Sequence, residues 1–393
     1  NFIVKKVKKM VPKYNIPMGL KYRDILDKGV RLAFEPVEIK SSDTAFLQYT
    51  GGTTGVAMGA TLSHKNIVSN MLQIREWMKP KLKELEEVVI TALPLYHIFA
   101  LTVNCLCMLQ LGAKNILITN PRDLDSFIKE LKKYPFTFIS GVNTLFNGLL
   151  NHPKFKEINF EFLKVSVGGG MAVQKFVAEK WEDVTGCPLV EGYGLSETSP
   201  VLSCNPIDGN HQIGTIGLPV PGTEMTVLDD NGKKVKTGEA GEICARGHQI
   251  MQGYWNKDED TRNAFFDKWF RTGDIGIMKD DGYFKIVDRK KDMILVSGFN
   301  VYPNEIEDVV ALHESVLEVA AIGIPDERTG ESIKLFITKK DPALTKEEII
   351  NHCRENLTKY KVPKQIEFLE ELPKSNVGKI IRRILREQQK IKT

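Results

Sequence analysis

Between residues 88 and 190, short apolar runs alternate with segments whose apolar side chains recur at helical spacing, and this limits the fold more than any other feature. Val88-Val89-Ile90, Asn115-Ile116-Leu117-Ile118 and Phe136 to Ser140 read as buried strands, with Leu124 to Leu131 as a helix among them. Val173, Phe176, Val177, Trp181 and Val184 mark one face of a further helix, which Gly186 stops. Alternating strands and helices predict α/β layers with parallel pairing.

The texture changes twice downstream. After about Gly217 the pattern is one of hairpins, where Met225 to Leu228 and Lys234-Val235 flank the tight-turn sequence Asp230-Asn231-Gly232. Near Asp288 a third pattern begins. Pro303 and Asn304 open a helix, Val316 to Ile324 and Ile333 to Thr338 alternate as strands, and Thr345-Lys346-Glu347-Glu348 is a capping box. A chain of 393 residues exceeds one ordinary domain. The expected fold is a large N-terminal α/β domain over 1–288, with layered sheets, helices and a β-rich portion at about 217–288, followed by a small mobile α+β domain over 289–393.

A net charge of +4 suits anionic small substrates and gives no case for nucleic acid, whose binders concentrate basic residues on one face. The six cysteines are scattered without CxxC or zinc spacing, which points to free thiols in a reducing cytosol. Pro12 and Pro17 interrupt the basic opening where a signal peptide would be apolar. Ile98 to Ala113 carries Asn104 and Gln110 and falls short of the roughly 20 residues of a membrane span, so it reads as a buried helix. A cytoplasmic protein is expected. The basic cluster Arg382, Arg383, Arg386, Lys390 and Lys392 would allow peripheral contact with an anionic membrane at its inner face.

Ala45 to Tyr49 reads as a strand running into Thr50-Gly51-Gly52-Thr53-Thr54-Gly55, and a helix is expected near Ser63-His64-Lys65-Asn66 with Ile67, Met71 and Ile74 inward. The glycines let backbone N–H groups converge on an anion, and the hydroxyls add donors without fixed charge. No Gly-Lys-Ser/Thr follows at Walker A spacing, and in isolation the loop reads equally well as an ordinary Gly-rich turn.

Its context narrows that choice. With Tyr49, the loop resembles the phosphate loop of the adenylate-forming superfamily of acyl-CoA synthetases, luciferases and peptide-synthetase adenylation domains. Further motifs follow in the superfamily's order. They are Glu191-Gly192-Tyr193-Gly194-Leu195-Ser196-Glu197-Thr198, Arg271-Thr272-Gly273-Asp274, Asp288-Arg289-Lys290-Lys291-Asp292 and Pro373-Lys374-Ser375-Asn376-Val377-Gly378-Lys379. The resemblance covers essentially the whole chain and is closest to bacterial long-chain fatty acyl-CoA synthetases, whose signature stretch is similar to Asp267 to Lys291.

The resemblance implies ATP, Mg²⁺ and coenzyme A with a fatty acid as substrate, and a homodimer is the oligomer considered. Thr50, Gly51, Gly52, Thr53, Thr54 and Gly55 would cradle phosphate, with Thr54 and Thr198 as supporting contacts. Glu197, with Thr54, would hold the Mg²⁺, since hard cations want oxygen ligands. Glu191 and Gly194 belong to the same nucleotide site. Tyr193 would stack on adenine, and Gly168, Gly169 and Gly170 would meet the same base. Asp274 would accept from the ribose hydroxyls, and Arg289 would support ribose or phosphate. Lys291 is the implied hinge and Lys379 the implied catalytic lysine. His97, Gly141, Val142, Phe146 and Gly298 are the implied acyl and CoA channel residues, although apolar residues at helical spacing are more often core.

Two departures stand out. Met58 occupies the position where the family's phosphate loop reaches a lysine, which removes one charged phosphate contact. The chain also enters the family's pattern partway through the large domain, so a domain incomplete at its N-terminus, with exposed apolar surface, is expected. The implied chemistry is fatty-acid attack on the α-phosphorus of ATP, release of pyrophosphate, small-domain rotation and thiol attack on the acyl-adenylate. Competing readings are an adenylating enzyme that loads a carrier protein and a non-catalytic nucleotide- or lipid-binding relative.

Overall fold

The computed structural model describes residues 2–7, 9, 11–50 and 57–392, side chains 3 and 390–392 excepted. Residues 1–40 form a unit of their own, with the helix Tyr22–Gly29 carrying no buried residue. Everything that follows concerns the unit from Ser41 onward.

At its centre is a seven-stranded sheet in the order Lys114–Leu117, Val88–Thr91, Phe138–Gly141, Val165–Gly169, Leu189–Gly194, Val201–Cys204 and Leu218–Pro219. The first five strands pair in parallel, and Val201–Cys204 pairs antiparallel with its neighbours on both sides. Parallel strands must be covered on both faces, and the continuous apolar runs supply the means. Val89, Ile90, Phe138, Ile139, Val165 and Val167 are all buried in one core with Phe127, Phe146, Phe155 and Trp181 from the covering segments. Trp181 packs edge-on to Phe146 at 4.7 Å. Its helix, Lys175–Thr185, ends where Gly186 takes φ of 71°, as a left-handed C-terminal stop requires. Ile98 to Ala113 is largely buried and helical, wound as a π-helix over Ala100–Cys107.

A five-stranded antiparallel sheet follows, built from Thr223–Leu228, Gly241–Gly247, Trp269–Met278, Phe265–Phe266 and Phe284–Arg289. It corresponds to the hairpin texture of the sequence. The strand Met58–Ser63, unmarked by sequence pattern, returns antiparallel on Thr44–Thr50. The helix His64–Met78 then starts where Ser63 and Asn66 form a reciprocal cap.

The C-terminal sheet orders Phe299–Val301, Ile294–Val296, Gly330–Lys339 and Val316–Asp326, with Gln365–Phe368 parallel to Gly330–Lys339. Strand periodicity decides its two faces. Val319, Ala321, Leu335 and Ile337 face Ile306, Val310, Ile349 and Cys353 from two helices. Ala320, Ile322, Ile324 and Phe336 face Leu372 and Leu385. The result is a large α/β domain and a small α+β domain.

Within the basic C-terminal cluster Arg382 pairs with Glu307 at 2.7 Å and Arg386 with Asp292 at 2.8 Å, while Arg383 is exposed and the side chains of Lys390 and Lys392 lie outside the described residues. No helix among the described residues is long and apolar enough to cross a membrane. All six cysteines are free, and five are buried.

Candidate active site

Ligands of open parallel sheets bind beyond the carboxyl ends of the strands. Gly141, Gly169 and Gly194 end three such strands here, and Gly169 and Gly194 line a cavity of about 710 Å³. Gly194 is required by close approach. A Cβ there would lie 1.9 Å from the Pro200 carbonyl oxygen, so any side chain would push apart the turn that carries Glu197.

Glu197 is buried and lines this cavity, and its Oε1 accepts from the Tyr254 hydroxyl at 2.8 Å. Thr198 does not share the cavity. It is fully buried, its hydroxyl accepts from the Leu195 N–H and donates to the Pro200 carbonyl, and it closes the turn that carries Glu197. Among the described residues no group of three or more His, Cys, Asp or Glu side chains could hold a metal. One buried carboxylate fits Mg²⁺, which binds through one or two carboxylates plus substrate phosphates and keeps several waters.

Asp274 and Arg289 face each other across paired strands. Asp274 Oδ2 accepts from the Tyr193 hydroxyl at 2.6 Å, and Oδ1 lies 3.2 Å from Arg289 Nε. Burial, reinforced by the neighbouring Asp274, holds the Tyr193 phenol well above its ordinary pKa. The Asp274 carboxylate in turn raises the pKa of the Arg289 guanidinium. Lys379 and Lys291 enter the same cavity. The Arg289 guanidinium, helped by burial, lowers the Lys379 ammonium to about 7, with Asp274 acting in the opposite sense. Burial also lowers Lys291.

His97, 282 positions before Lys379, lines the same cavity and accepts from the Phe99 N–H at 3.3 Å. Burial, then the Lys379 charge, lowers its pKa, so the ring favours its neutral form.

Other expected site residues are distributed differently. Thr50 and Met58 face each other in register and both line the cavity, but Gly51, Gly52, Thr53, Thr54 and Gly55 lie outside the described residues. Gly168 lies against Val173, while Gly170 reaches the cavity with φ of 77°. Glu191 faces an adjoining cavity of about 640 Å³, which Tyr193, Asp274, Arg289 and Lys379 also line, and burial pushes its carboxyl up to about 8. Gly141, Val142 and Phe146 line neither cavity, and Phe146 is core, packed against Trp181. Gly298 lies in the exposed turn between Ile294–Val296 and Phe299–Val301.

Sequence reasoning missed the apolar wall of the main cavity, to which Ile74, Trp77, Met78, Val103, Val201 and Val220 contribute. Helical spacing marked Ile74 as inward, and nothing marked Val220 or Tyr254.

Two segments match known families: residues 5–255 match the AMP-binding enzyme family, and residues 305–379 match the AMP-binding enzyme C-terminal domain. The chain belongs to the AMP-binding enzyme family. It is 57% identical over 389 residues to a long-chain-fatty-acid–CoA ligase of Yersinia pestis, covering 99% of this chain and 69% of the relative. A long-chain-fatty-acid–CoA ligase of Salmonella typhimurium is 56% identical over 388 residues with the same coverage. Among solved structures, ATP-bound MatB from Rhodopseudomonas palustris superposes with a TM-score of 0.86 at 31% identity, over 93% of this chain and 72% of that one. Apo MatB gives 0.73 at the same identity and coverage.

Proposed function

We propose that the protein is a long-chain fatty acid:CoA ligase that forms an acyl-adenylate and pyrophosphate from ATP, then acyl-CoA and AMP. One observation carries the reading. A single cavity is lined both by Lys379, Arg289, Asp274 and Glu197 and by the apolar wall from Ile74, Trp77, Met78 and Val220. It offers groups for a nucleotide polyphosphate and a covered surface for an aliphatic chain.

In this reading Lys379 spans the incoming carboxylate and the α-phosphate, and its ammonium offsets charge that grows as the P–O bond forms. Arg289 adds positive charge beside it. Asp274 accepts from the ribose and holds Arg289 in register, while Tyr193, anchored by its hydroxyl, presents its ring to the base. Glu197, steadied by Tyr254, would hold the Mg²⁺, which when bound would neutralise phosphate charge. His97, kept neutral, is a shaping residue between the acyl and thiol approaches. We place the domain division at 288/289 and the hinge at Lys291, about which the small domain turns before the thiol attacks.

Fatty-acid-dependent pyrophosphate release, measured with acids from C2 to C18, tests the substrate class. Turnover is expected to favour C12–C18 acids over acetate. Equal or faster turnover of acetate contradicts the assignment.

Met58 permits a separate test because it faces the cavity at the start of its strand. Met58→Lys is expected to lower the KM for ATP or raise the adenylation rate, since an added charged hydrogen bond contributes about 1–3 kcal/mol. Unchanged ATP kinetics would show that position 58 does not reach the phosphates.

A further inference from the structure

Three large-domain side chains donate to backbone carbonyls of the small domain. Thr144 Oγ1 donates to the Gly378 carbonyl at 2.9 Å, Arg122 Nη2 to the Ser375 carbonyl at 3.2 Å, and Asn147 Nδ2 to the Leu317 carbonyl at 2.9 Å. Two of the three acceptors belong to the turn that carries Lys379.

That turn is locally closed. The Ser375 N–H donates to the Lys379 carbonyl, the Gly378 N–H to the Ser375 carbonyl, and Lys374 bridges Ile380. It is also tied to its own domain, because Lys374 pairs with Glu318 at 2.8 Å. Gly378 has φ of 82°, and a Cβ there would lie 3.1 Å from Thr144 Oγ1. A bare, left-handed residue therefore lets its carbonyl approach the threonine. On the other side, the helix Asn143–Asn151 buries Leu145, Phe146, Leu149 and Leu150 in the large core, so its polar positions Thr144 and Asn147 are fixed from behind.

We propose that Thr144, assisted by Arg122 and Asn147, is a positioning residue for the adenylation half-reaction: it latches the Lys379 turn against the large domain and lets go when the small domain rotates. The proposal rests on the ligase reading above. The carbonyl acceptors suit such a latch. The Thr144 and Asn147 bonds are neutral and the Arg122 bond is exposed, so each contributes modestly and none leaves a buried unpaired charge when it breaks, unlike a buried ion pair. Its value is geometric, because about 1 Å of misplacement at a reacting group can cost on the order of 10²-fold in rate. The thioester half-reaction, run in another orientation, has no use for the contact.

Thr144→Val keeps the shape and removes the donor, and Thr144→Ser keeps the donor. Two rates are measured for each with palmitate as the acid: pyrophosphate release before CoA is added, and thioester formation from supplied palmitoyl-AMP and CoA. Thr144→Val is expected to slow pyrophosphate release by roughly 10- to 100-fold. Thioester formation should stay near the wild-type rate, and Thr144→Ser should recover most of the loss. Arg122→Ala should move the same ratio in the same direction. Equal slowing of both steps, failure of serine to rescue, or unchanged pyrophosphate release overturns the latch. A wild-type enzyme that releases no pyrophosphate with any fatty acid would overturn the ligase reading itself, and the latch with it.

Discussion

Lys379→Ala is expected to slow adenylate formation by roughly 10²–10³-fold, the usual loss when one preorganised group facing transition-state charge is removed. Supplied acyl-AMP and CoA should still give thioester at close to the wild-type rate, because the rotated small domain carries the lysine away from the acyl carbonyl. The asymmetry is the point. Lys379 lies in one cavity with Arg289, Asp274 and Glu197 in the orientation seen here, so its contribution belongs to the step run in that orientation. A rapid-quench comparison of the two half-reactions reads it directly. A mutant equally slow in both, or slow in neither, shows that Lys379 has another role.

The second large effect is electrostatic. Arg289 holds the Lys379 ammonium down to about 7, and Asp274 partly offsets it. If the ammonium is the active form, kcat/KM for adenylation, which reports the free enzyme, should fall as pH rises through about 7. Asp274→Asn removes the carboxylate that most opposes the guanidinium at Lys379, so the fall should move to lower pH. It should also weaken ATP binding by roughly 10- to 100-fold, the equivalent of one or two lost charged hydrogen bonds. Arg289→Ala should move the fall the other way, to higher pH. The sign follows from which charge is deleted. A profile that does not move in either variant would show that Lys379 is not the titrating group.

The sequence made the parallel sheet legible because its strands are covered on both faces and so read as unbroken apolar runs. The cap at Thr345 was legible because a reciprocal cap is a local pattern, whereas near Ser63 the sequence marked a helix start without its cap. Met58–Ser63 was not, since Met-Gly-Ala-Thr-Leu-Ser has neither strict alternation nor an apolar run, and its partner strand creates the pairing. The nucleotide side of the cavity was legible through its ordered motifs. What holds those motifs in place was not. Tyr254 reaches Glu197 across 57 positions, and Thr144 reaches Gly378 across 234. A side chain that bonds a distant backbone carbonyl leaves no pattern around itself. Thr198 and Phe146 were read from motif position and helical spacing, which do not reveal that one closes a turn and the other packs in the core.

The central claim is that one cavity activates a fatty acid through its adenylate and then transfers it to CoA. Incubating the enzyme with palmitate, ATP and Mg²⁺ but no CoA, and following exchange of labelled pyrophosphate into ATP, tests it most directly. The exchange should depend on palmitate and vanish in Lys379→Ala, and later addition of CoA should yield AMP and palmitoyl-CoA in equal amounts. Products of ADP and phosphate, or exchange that ignores the fatty acid, would contradict the account.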